Sequence, residues 1–579
     1  MKPIKYTPQK NRLIPVILLA GIFLLVATFC PHKADFAEYD VLSFCESMPE
    51  PVFSVPEGIY DHPFELEIQA PSGYAIYYTT DGSNPTVHSN KYKKSITIDP
   101  QENPNRAILF IPTSIWWKLP RGEQNHCIVI RARCFKNDMG YGKVVNAIYS
   151  TSNIRQHQGF QIVHILMDAD DLFSQKRGIY VLGENFYSKK EVVRLIEKNK
   201  LDWRDIDRDE LPANYHQRGK NWIRNAEFIL TDLTGKTIFE QSVRLCIHGL
   251  GSRTYPEKSL RIMADSVRGN HMIQYRFFDN LPYESFYAIL LRNSGTDFVY
   301  TMFCDALVQQ MVKDIGLDIQ EYAPAVVYIN GNYWGIHNIR EKMDQYYLAV
   351  KYDSSLENIH ILDYDWDFEL KFGNPLSLQA FEELVDYIRH HSMSDEMAYH
   401  HVCTQMDIDN FIDYIIVETF FANIDWGTNN MRPYKIDQQT EMMKKNNIEA
   451  GKWRWLLFDL DVSMSNWVPP SKNMFVDHLR QYEHLAISTM FFGLLKNPEF
   501  KEKFLNRYEY IIRNHLTTPF MLQHIEEFEE RYQYEMERQK SRWRNSLNHS
   551  WRDRWWRIEQ MKVFARERPE IVLEQLKSL

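Results

Sequence analysis

With 579 residues, the chain is too long for one small module, because domains usually hold about 100 to 200 residues. Hydrophobic residues make up 44% and charged residues 25%, which excludes a collagenous or low-complexity protein. The 67 basic and 76 acidic residues give a net charge of −9. The chain as a whole therefore offers no electrostatic attraction for nucleic acid, and we expect no nucleic-acid partner.

The first thirty residues have the pattern of an export signal. An uncharged apolar run over 13–30 follows four basic residues, Lys2, Lys5, Lys10 and Arg12. At about 1.5 Å per residue, roughly 18 residues are just enough to cross the core of a bilayer. The basic leader places the chain after about residue 31 outside the cytoplasm. We expect residues 1–30 to be a signal anchor or a cleaved signal peptide, which leaves the rest exported or attached to a membrane.

Short strand patterns separated by turn signals fill residues 51–152. Phe64–Ile68 alternates between apolar and polar residues, and Ala75–Thr80 is rich in β-branched and aromatic residues. Asp81-Gly82 then supplies a strong turn signal, and Ile128–Arg133 is a further predicted strand. This spacing, without helical periodicity, predicts an all-β sandwich of about 100 residues.

The seven cysteines are scattered, with no C-x-x-C pair and no histidine at zinc spacing. A structural zinc site is therefore not expected. Cys127 and Cys134 could form a local disulfide outside the cytosol, and two buried free thiols fit the sequence as well. The sequence leaves both possibilities open.

The remaining region, 159–579, mixes strand and helix patterns. Strands are predicted at Gln161–Leu166, Gly178–Leu182 and Ser242–Ile247. In 301–315 apolar residues recur every four positions and a glycine follows, which predicts a helix. Mixed patterns of this kind are typical of an α+β domain.

The second half of this region continues with a hairpin, a helix and a strand. Ala325–Ile329 and Tyr333–Ile339 flank Asn330-Gly331, whose positive φ angles suit a type I′ turn. An apolar helix is predicted at Ile408–Phe421, and a strand at Lys452–Phe458.

Polar residues follow these elements in the order of a protein-kinase core. Lys258 lies in a predicted strand, Glu341 follows the hairpin, and Asp459 follows the last strand. Asp425 and Asn430 come directly after the apolar helix with the Asp-x4-Asn spacing of a kinase catalytic loop. Phosphoryl transfer needs these residue types: a cation on the phosphates, carboxylates for Mg²⁺, and a carboxylate for the acceptor hydroxyl. Taken singly, each could be an ordinary surface or turn residue, so the prediction rests on their order.

Several motifs that carry these residues resemble the spore coat protein H (CotH) kinase family. They are Tyr255–Ile262, Leu291–Asp297, Tyr328–Gly335 followed by Glu341, Asn423–Asp425 and Trp455–Asp461. The chain lacks a full glycine-rich loop and the His-Arg-Asp and Asp-Phe-Gly triplets, so it is not a eukaryotic-type kinase. In the sandwich region, Pro51–Ser54 and Ile76–Thr86 resemble the chitobiase/β-hexosaminidase C-terminal type domain, a noncatalytic fibronectin-III-like module.

The CotH resemblance implies an atypical protein kinase that uses ATP and Mg²⁺ to phosphorylate Ser or Thr on extracytoplasmic or coat proteins. It implies that Lys258, which we group with Arg261 of the same motif, contacts the nucleotide phosphates. It also implies that Asp425 and Asp459 are the essential acidic pair.

Element order suggests the remaining site assignments. Asn430 is expected to hold Mg²⁺ together with Asp459, with Asp461 as an auxiliary ligand. Glu341, at the expected interlobe linker, is assigned to the adenosine, and Asp305, on the helix over 301–315, to the partner of Lys258.

The region after about residue 480 is predicted to be helical and is rich in Arg and Trp. Such a composition could bind single-stranded nucleic acid. One helical face, however, carries Leu547, Trp551, Trp555 and Ile558. We therefore expect the aromatic side chains to pack inward and the arginines to pair with nearby glutamates.

The sequence thus predicts an α+β chain. Its parts are a membrane segment over 1–30, an all-β sandwich over 51–152 and a two-lobed, atypical protein-kinase-like catalytic domain over 159–579. The expected function is an extracytoplasmic kinase that transfers the γ-phosphate of ATP to a surface or envelope protein. The alternative is a noncatalytic, pseudokinase-like surface protein that binds a glycan or an envelope partner.

Overall fold

The computed structural model describes residues 48–190, 193–194, 198, 213–464, 468–543 and 551–579, with side chains in the last range from 554 onward. Pro49–Leu579 forms one compact unit. The expected membrane segment over 1–30 lies outside the described residues. Within those residues, no helix combines the length and the apolar character needed to span a bilayer.

An all-β domain comes first. Its strands are β1 (Val52–Phe53), β2 (Gly58–Ile59), β3 (Phe64–Leu66), β4 (Ile68–Gln69), β5 (Ala75–Thr79), β6 (Asn90–Lys91), β7 (Ile96–Ile98), β8 (Cys127–Lys136) and β9 (Met139–Ser150). The main sheet has the order β2-β9-β8-β5-β6, and β1-β4 and β3-β7 form two small pairs. Cys127 and Cys134 are buried free thiols on the same strand. Seven residues of strand separate them by about 23 Å, which excludes the disulfide.

Seven strands of the following region close into a barrel. The strands of this region are β10 (Gln161–Leu166), β11 (Arg224–Thr231), β12 (Thr237–Ile247), β13 (Leu260–Ala264), β14 (Ile273–Gln274), β15 (Ser285–Phe286), β16 (Ala288–Arg292), β17 (Tyr322–Ile329) and β18 (Asn332–Glu341). The barrel order is β10-β11-β12-β13-β16-β18-β17, and β10 and β17 close it as a parallel pair. At the β17–β18 turn, Asn330 and Gly331 have φ angles of 47° and 84°, which confirms the predicted type I′ geometry.

The helical part follows the barrel and contains a small sheet. That sheet has the strands β19 (Ile359–Asp365), β20 (Asp367–Phe372), β21 (Pro433–Ile436) and β22 (Arg454–Trp455), in the order β20-β19-β21-β22. The helices within the described residues are α1 (Ala169–Phe173), α2 (Glu184–Ser188), α3 (Cys304–Met311), α4 (Gln345–Tyr352), α5 (Leu376–His390), α6 (Glu396–Gln405), α7 (Ile408–Phe420), α8 (Glu441–Lys445), α9 (Ala486–Leu494), α10 (Pro498–Asn514), α11 (Thr518–Trp543) and α12 (Trp551–Leu576). From its third residue onward α7 is buried on all sides, as its continuous apolar run predicts.

Three sequence predictions differ from the structure. Gly178–Leu182 is not a strand, because the backbone N–H groups of Ile179 and Tyr180 bond to carbonyls of α1 instead of a sheet neighbour. The helix over 301–315 is shortened to α3, because the Asp297 carboxylate accepts hydrogen bonds from the backbone before the helix and holds it in a turn. The strand over Lys452–Phe458 forms a ladder only at β22, flanked by single bridges from Trp453 to Met406 and from Leu456 to Asp318.

The all-β domain is docked on the tip of the β17–β18 hairpin. The backbone N–H of Cys127 donates to the Gly331 carbonyl at 2.8 Å, and the N–H of Tyr333 donates to the Asn125 carbonyl at 3.0 Å. A Cβ at Gly331 would lie 2.4 Å from the Cys127 carbonyl oxygen, so this contact requires glycine. The domain is therefore fixed to the strand that leads to Glu341.

The C-terminal helices match the expected arrangement only in part, since Trp543 and Ile558 pack inward as predicted. Trp555 is 64% exposed, whereas Arg557 and Arg568 are fully buried. Both arginines bind backbone carbonyls rather than glutamates, since one guanidinium can satisfy several acceptors at once. Leu547 and the side chain of Trp551 lie outside the described residues.

Candidate active site

The segment after α7 folds back on itself and brings Asp425 and Asn430 side by side. The Asn430 side-chain amide donates to the backbone oxygen of Asp425 at 3.0 Å and to its carboxylate Oδ2 at 3.1 Å. Asn429 donates to Oδ1 at 3.2 Å, and Asn423 accepts from the Asp425 N–H. Asn430 has a φ of 57°, a left-handed conformation that Asn tolerates better than most residues. The spacing of the catalytic loop therefore corresponds to a real contact.

Asp459 faces this loop from the segment that follows β22. Its φ of 64° is a left-handed conformation that Asp, like Asn, adopts more readily than most residues. Burial raises the pKa of Asp425, and the charge of Asp459 raises it further against the hydrogen bond from Asn429. The two aspartates are thus electrostatically coupled, as expected for an acidic pair that shares one site.

Asp461 is held by the loop that follows β16. It is buried, and its Oδ2 accepts a hydrogen bond from the backbone N–H of Thr296 at 2.6 Å. A Cβ at Gly295 would lie 2.2 Å from the same oxygen, so the loop approaches closely. Burial and the charge of Asp459 raise the pKa of Asp461 well above its usual value. Its role as an auxiliary metal ligand stays a prediction.

Arg292 is the functional candidate that sequence reasoning missed. It ends β16, and its Nη2 donates to Asp459 Oδ1 and contacts Asp461 Oδ2 at 3.5 Å. Burial lowers the pKa of this guanidinium, but the charges of Asp459, Asp305 and Asp461 outweigh burial and raise it. The residue lies inside the motif Leu291–Asp297, yet nothing in the sequence shows that its side chain reaches across to Asp459.

Lys258 is placed differently from the expectation. It precedes β13 rather than lying in it, and its side chain is fully buried. Its Nζ donates to the carbonyls of Arg253 and Tyr255 at 2.9 and 2.7 Å and lies 3.9 Å from the ring centroid of Tyr215. Burial and the nearby Arg253 charge lower its pKa well below the usual value. The ammonium therefore stabilises its own loop and, in this structure, is not directed at the acidic pair.

We expect Lys258→Met to lower stability and to leave nucleotide affinity unchanged. Two buried carbonyls lose their donor, which lowers the free energy of unfolding. The variant no longer buries an ammonium, which offsets part of this loss. The net fall is expected to be about 1 to 3 kcal/mol. Chemical denaturation and nucleotide titration measure the two quantities, with the exposed Lys445→Met as control. A large loss of nucleotide affinity in the folded variant would show that Lys258 contacts the nucleotide phosphates.

Asp305 does not pair with Lys258, and that prediction is wrong. Its Oδ2 accepts from Arg340 Nη1 at 2.5 Å, and its Oδ1 accepts from the Leu460 N–H at 2.9 Å. Although burial raises the pKa of Asp305, Arg340 and Arg292 lower it to about 2. The carboxylate therefore stays charged and anchors the chain between Asp459 and Asp461 to α3.

Glu341 is buried at the end of β18. Its Oε1 accepts from the Tyr283 hydroxyl at 2.5 Å, and its Oε2 accepts from the Glu321 N–H at 3.1 Å. Burial raises its pKa to about 7. Proximity to the adenosine stays a prediction.

Arg261 belongs to a group of cations drawn from both the barrel and the helical part. The pKa of Lys342 is lowered to about 7, and burial is the main cause. The charge of Asp344 raises this pKa, whereas the charges of Arg432, Lys371 and Arg261 lower it further. Arg261 also lies 3.8 Å from Asp344. Arg432 and Lys371 both pair with Asp363, so carboxylates of the chain balance much of this positive charge, and contact of Arg261 with nucleotide phosphates stays a prediction.

The oxygen donors of this site fit a magnesium ion. Mg²⁺ prefers hard oxygen ligands and is usually held by one or two carboxylates together with substrate phosphates. The Asp459 carboxylate and the Asn430 amide oxygen are ligands of this type, and Asp425 lies beside them. Across the described ranges, no group of three or more His, Cys, Asp or Glu side chains is arranged to hold a metal alone. Such a group is not required where phosphates supply further ligands.

Two regions of the chain match known protein families. A family model described as CotH kinase protein matches residues 245–572, which is more than half of the chain. The chain belongs to the CotH kinase protein family. A second family model, the chitobiase/beta-hexosaminidase C-terminal domain, matches residues 55–110 within the all-β domain. Both resemblances found in the sequence are confirmed.

Two further comparisons were made for this CotH kinase family member. The crystal structure of a Helicobacter pylori proinflammatory kinase, CtkA, is similar with 10% identity and a TM-score of 0.22, over 57% of this chain and 94% of that chain. A search of curated proteins found no match. The CotH match includes the acidic pair, Arg292 and the buried Arg568 of α12. The molecule is thus a mixed α and β protein with a CotH-kinase-like fold and an N-terminal all-β domain, and family membership supports a protein-kinase-like function.

Proposed function

We propose that this chain is an atypical protein kinase that transfers the γ-phosphate of ATP to a Ser or Thr hydroxyl of a surface or envelope protein. The observation that carries the proposal is the assembly of Asp425, Asn430 and Asp459 from two separate segments into one site. Membership of the CotH kinase protein family supports the reaction type. The export pattern of residues 1–30 supports an extracytoplasmic location and attachment to a membrane.

Asp425 is the residue that receives the acceptor proton. As the hydroxyl oxygen bonds to the γ-phosphorus, the bond from phosphorus to the ADP oxygen breaks and the hydroxyl proton moves to the Asp425 carboxylate. Its raised pKa makes it a better proton acceptor than an ordinary aspartate. Asn429 and Asn430 orient the carboxylate through the hydrogen bonds described above.

Asp459 and Asn430 are the residues that would hold Mg²⁺. When bound, the ion neutralises charge on the transferred phosphoryl group. Asp461 and Asp305 position the Asp459 segment, because each accepts a backbone hydrogen bond that fixes the surrounding chain.

Incubation of the purified full-length chain with γ-labelled ATP, Mg²⁺ and an envelope protein fraction tests the proposal. We expect acid-stable label on Ser or Thr of an acceptor protein, and no label when the metal is chelated. If fluorescent ATP analogues do not bind with Mg²⁺ at millimolar concentration, the kinase proposal fails. The noncatalytic alternative, in which the chain binds a glycan or an envelope partner, then takes its place.

A further inference from the structure

Arg292 is the cation that contacts Asp459, one member of the acidic pair. Its side chain extends from the barrel to Asp459, and among the described residues no other cation forms an ion pair with that carboxylate. The side chain is 13% exposed, so it lies at the edge of the site rather than deep in the core. It therefore joins the barrel to the acidic segment at the place where the phosphates of a metal-bound nucleotide must lie.

The guanidinium of Arg292 has spare hydrogen-bonding capacity. Its Nη2 serves Asp459 and Asp461, while its Nε is buried and has no hydrogen-bond partner within the described part of the chain. An unpaired buried donor is costly, which favours a ligand that draws the guanidinium away from Asp459 and then accepts from it. Phosphate suits this role, because the planar guanidinium fork matches two phosphate oxygens.

The Lys258 ammonium is directed at its own loop, so another cation is needed to bind the phosphates. Both of its strong contacts are backbone carbonyls of its own loop, so its ammonium is committed to structure. Phosphoryl transfer nevertheless needs a cation on the transferred group.

We propose that Arg292 binds the nucleotide phosphates and exchanges its ion pair with Asp459 for them when metal and nucleotide bind together. Asp459 Oδ1 accepts from Arg292, so a metal ion that uses this oxygen competes with the guanidinium. Phosphate oxygens relieve the competition, since they offer Arg292 another anionic partner and the metal further ligands. Metal and nucleotide therefore bind with positive coupling, and Arg292 is the source of that coupling.

Binding of Mn²⁺ alone and of nucleotide to Arg292→Met tests this inference, which rests on the proposed function. Loss of the competing guanidinium is expected to tighten binding of Mn²⁺ alone about tenfold, measured by electron paramagnetic resonance. Loss of the phosphate contact is expected to weaken binding of a fluorescent ATP analogue about tenfold or more. The opposite signs distinguish this role from a structural one, which would weaken both.

Controls keep the two proposals separate. Arg513→Met, at an exposed arginine on α10 that pairs with Glu509 of the same helix, is expected to change neither affinity. Arg292→Lys retains the charge without the fork, so it should keep Mn²⁺ affinity near wild type and weaken nucleotide severalfold, and it serves if Arg292→Met does not fold. If wild type binds nucleotide and Arg292→Met leaves both affinities unchanged or lowers both, the inference is overturned. If wild type binds no nucleotide, the proposed function itself fails.

Discussion

Asp425→Asn is expected to slow phosphoryl transfer about 10² to 10⁴-fold while the fold and the nucleotide affinity persist. The substitution removes the carboxylate that accepts the acceptor proton in the proposed function, and it keeps the shape of the side chain among Asn429, Asn430 and Asn423. Label transfer from ATP measures the rate, and nucleotide titration and thermal unfolding measure the other two quantities. Asp409→Asn, at an exposed acid on α7, is the matched control and is expected to match wild type.

The pH dependence of the same reaction gives an independent check. Burial and the neighbouring Asp459 raise the pKa of Asp425, so its carboxylate becomes protonated at a higher pH than an ordinary aspartate does. The rate constant for turnover should therefore fall as the pH decreases through the raised pKa of Asp425. The fall should be absent from the residual activity of Asp425→Asn. An acid limb of the same position in both proteins would assign it to another group.

Asp459→Asn tests the proposed metal ligand of the same site. The substitution removes the carboxylate that Arg292 pairs with and that would hold Mg²⁺. We expect metal-dependent nucleotide binding to be lost with the activity, in contrast to Asp425→Asn, which loses activity alone. If both variants bound metal and nucleotide like wild type and remained active, the site would be elsewhere.

Arg568→Met is expected to lower the free energy of unfolding by about 3 to 5 kcal/mol, a large fraction of a typical domain's stability. Arg568 lies on α12 and is fully buried. Its Nε and Nη2 donate to the carbonyls of Phe420 and Thr419 at 2.8 and 2.7 Å, and its Nη1 donates to those of Pro470 and Lys472 at 2.6 and 2.7 Å. The first two carbonyls belong to the last turn of α7, where acceptors lack partners within the helix.

The position of these carbonyls connects stability to the site. The Arg568 side chain holds the end of α7, which leads into the Asp425 loop, and the segment that follows the Asp459 loop. Burial lowers the pKa of Arg568 to about 10, against the opposing effect of Tyr508, so the guanidinium is still charged at neutral pH. Methionine fills similar space but leaves four carbonyls without this donor.

Chemical denaturation of Arg568→Met beside Arg566→Met isolates the effect. Arg566 is exposed on the same helix, and its replacement should change stability by less than about 0.5 kcal/mol. Equal losses in the two variants would show that helix propensity, rather than the carbonyl contacts, accounts for the change. We also expect activity to fall in Arg568→Met at temperatures where the protein stays folded, since the Asp425 loop loses its support.

Local features of the fold could be predicted because their causes are local. The type I′ hairpin follows from Asn330-Gly331, and the buried helix α7 follows from a continuous apolar run. The proximity of Asp425 and Asn430 follows from a short loop of known spacing. In each case the residues that decide the geometry lie within a few positions of one another.

Partners of buried charges could not be predicted, because they come from distant segments. Asp305 pairs with Arg340 instead of Lys258, and Arg292 meets Asp459 across 167 residues of sequence. The same limit explains the C-terminal helices, where helical periodicity alone placed Trp555 inside and the arginines outside. Periodicity reports which residues share a face, and it does not report which carbonyls another segment leaves without donors.

The sequence by itself determined most of the order of the elements, the proximity of Asp425 and Asn430 and the family to which the chain belongs. Tertiary structure decided which partner each buried cation has: Lys258 donates to carbonyls of its own loop, and Arg292 forms an ion pair with Asp459. The physical reason is that hydrophobic patterns act over neighbouring residues, whereas a buried charge must find its partner wherever the folded chain brings one within hydrogen-bonding distance.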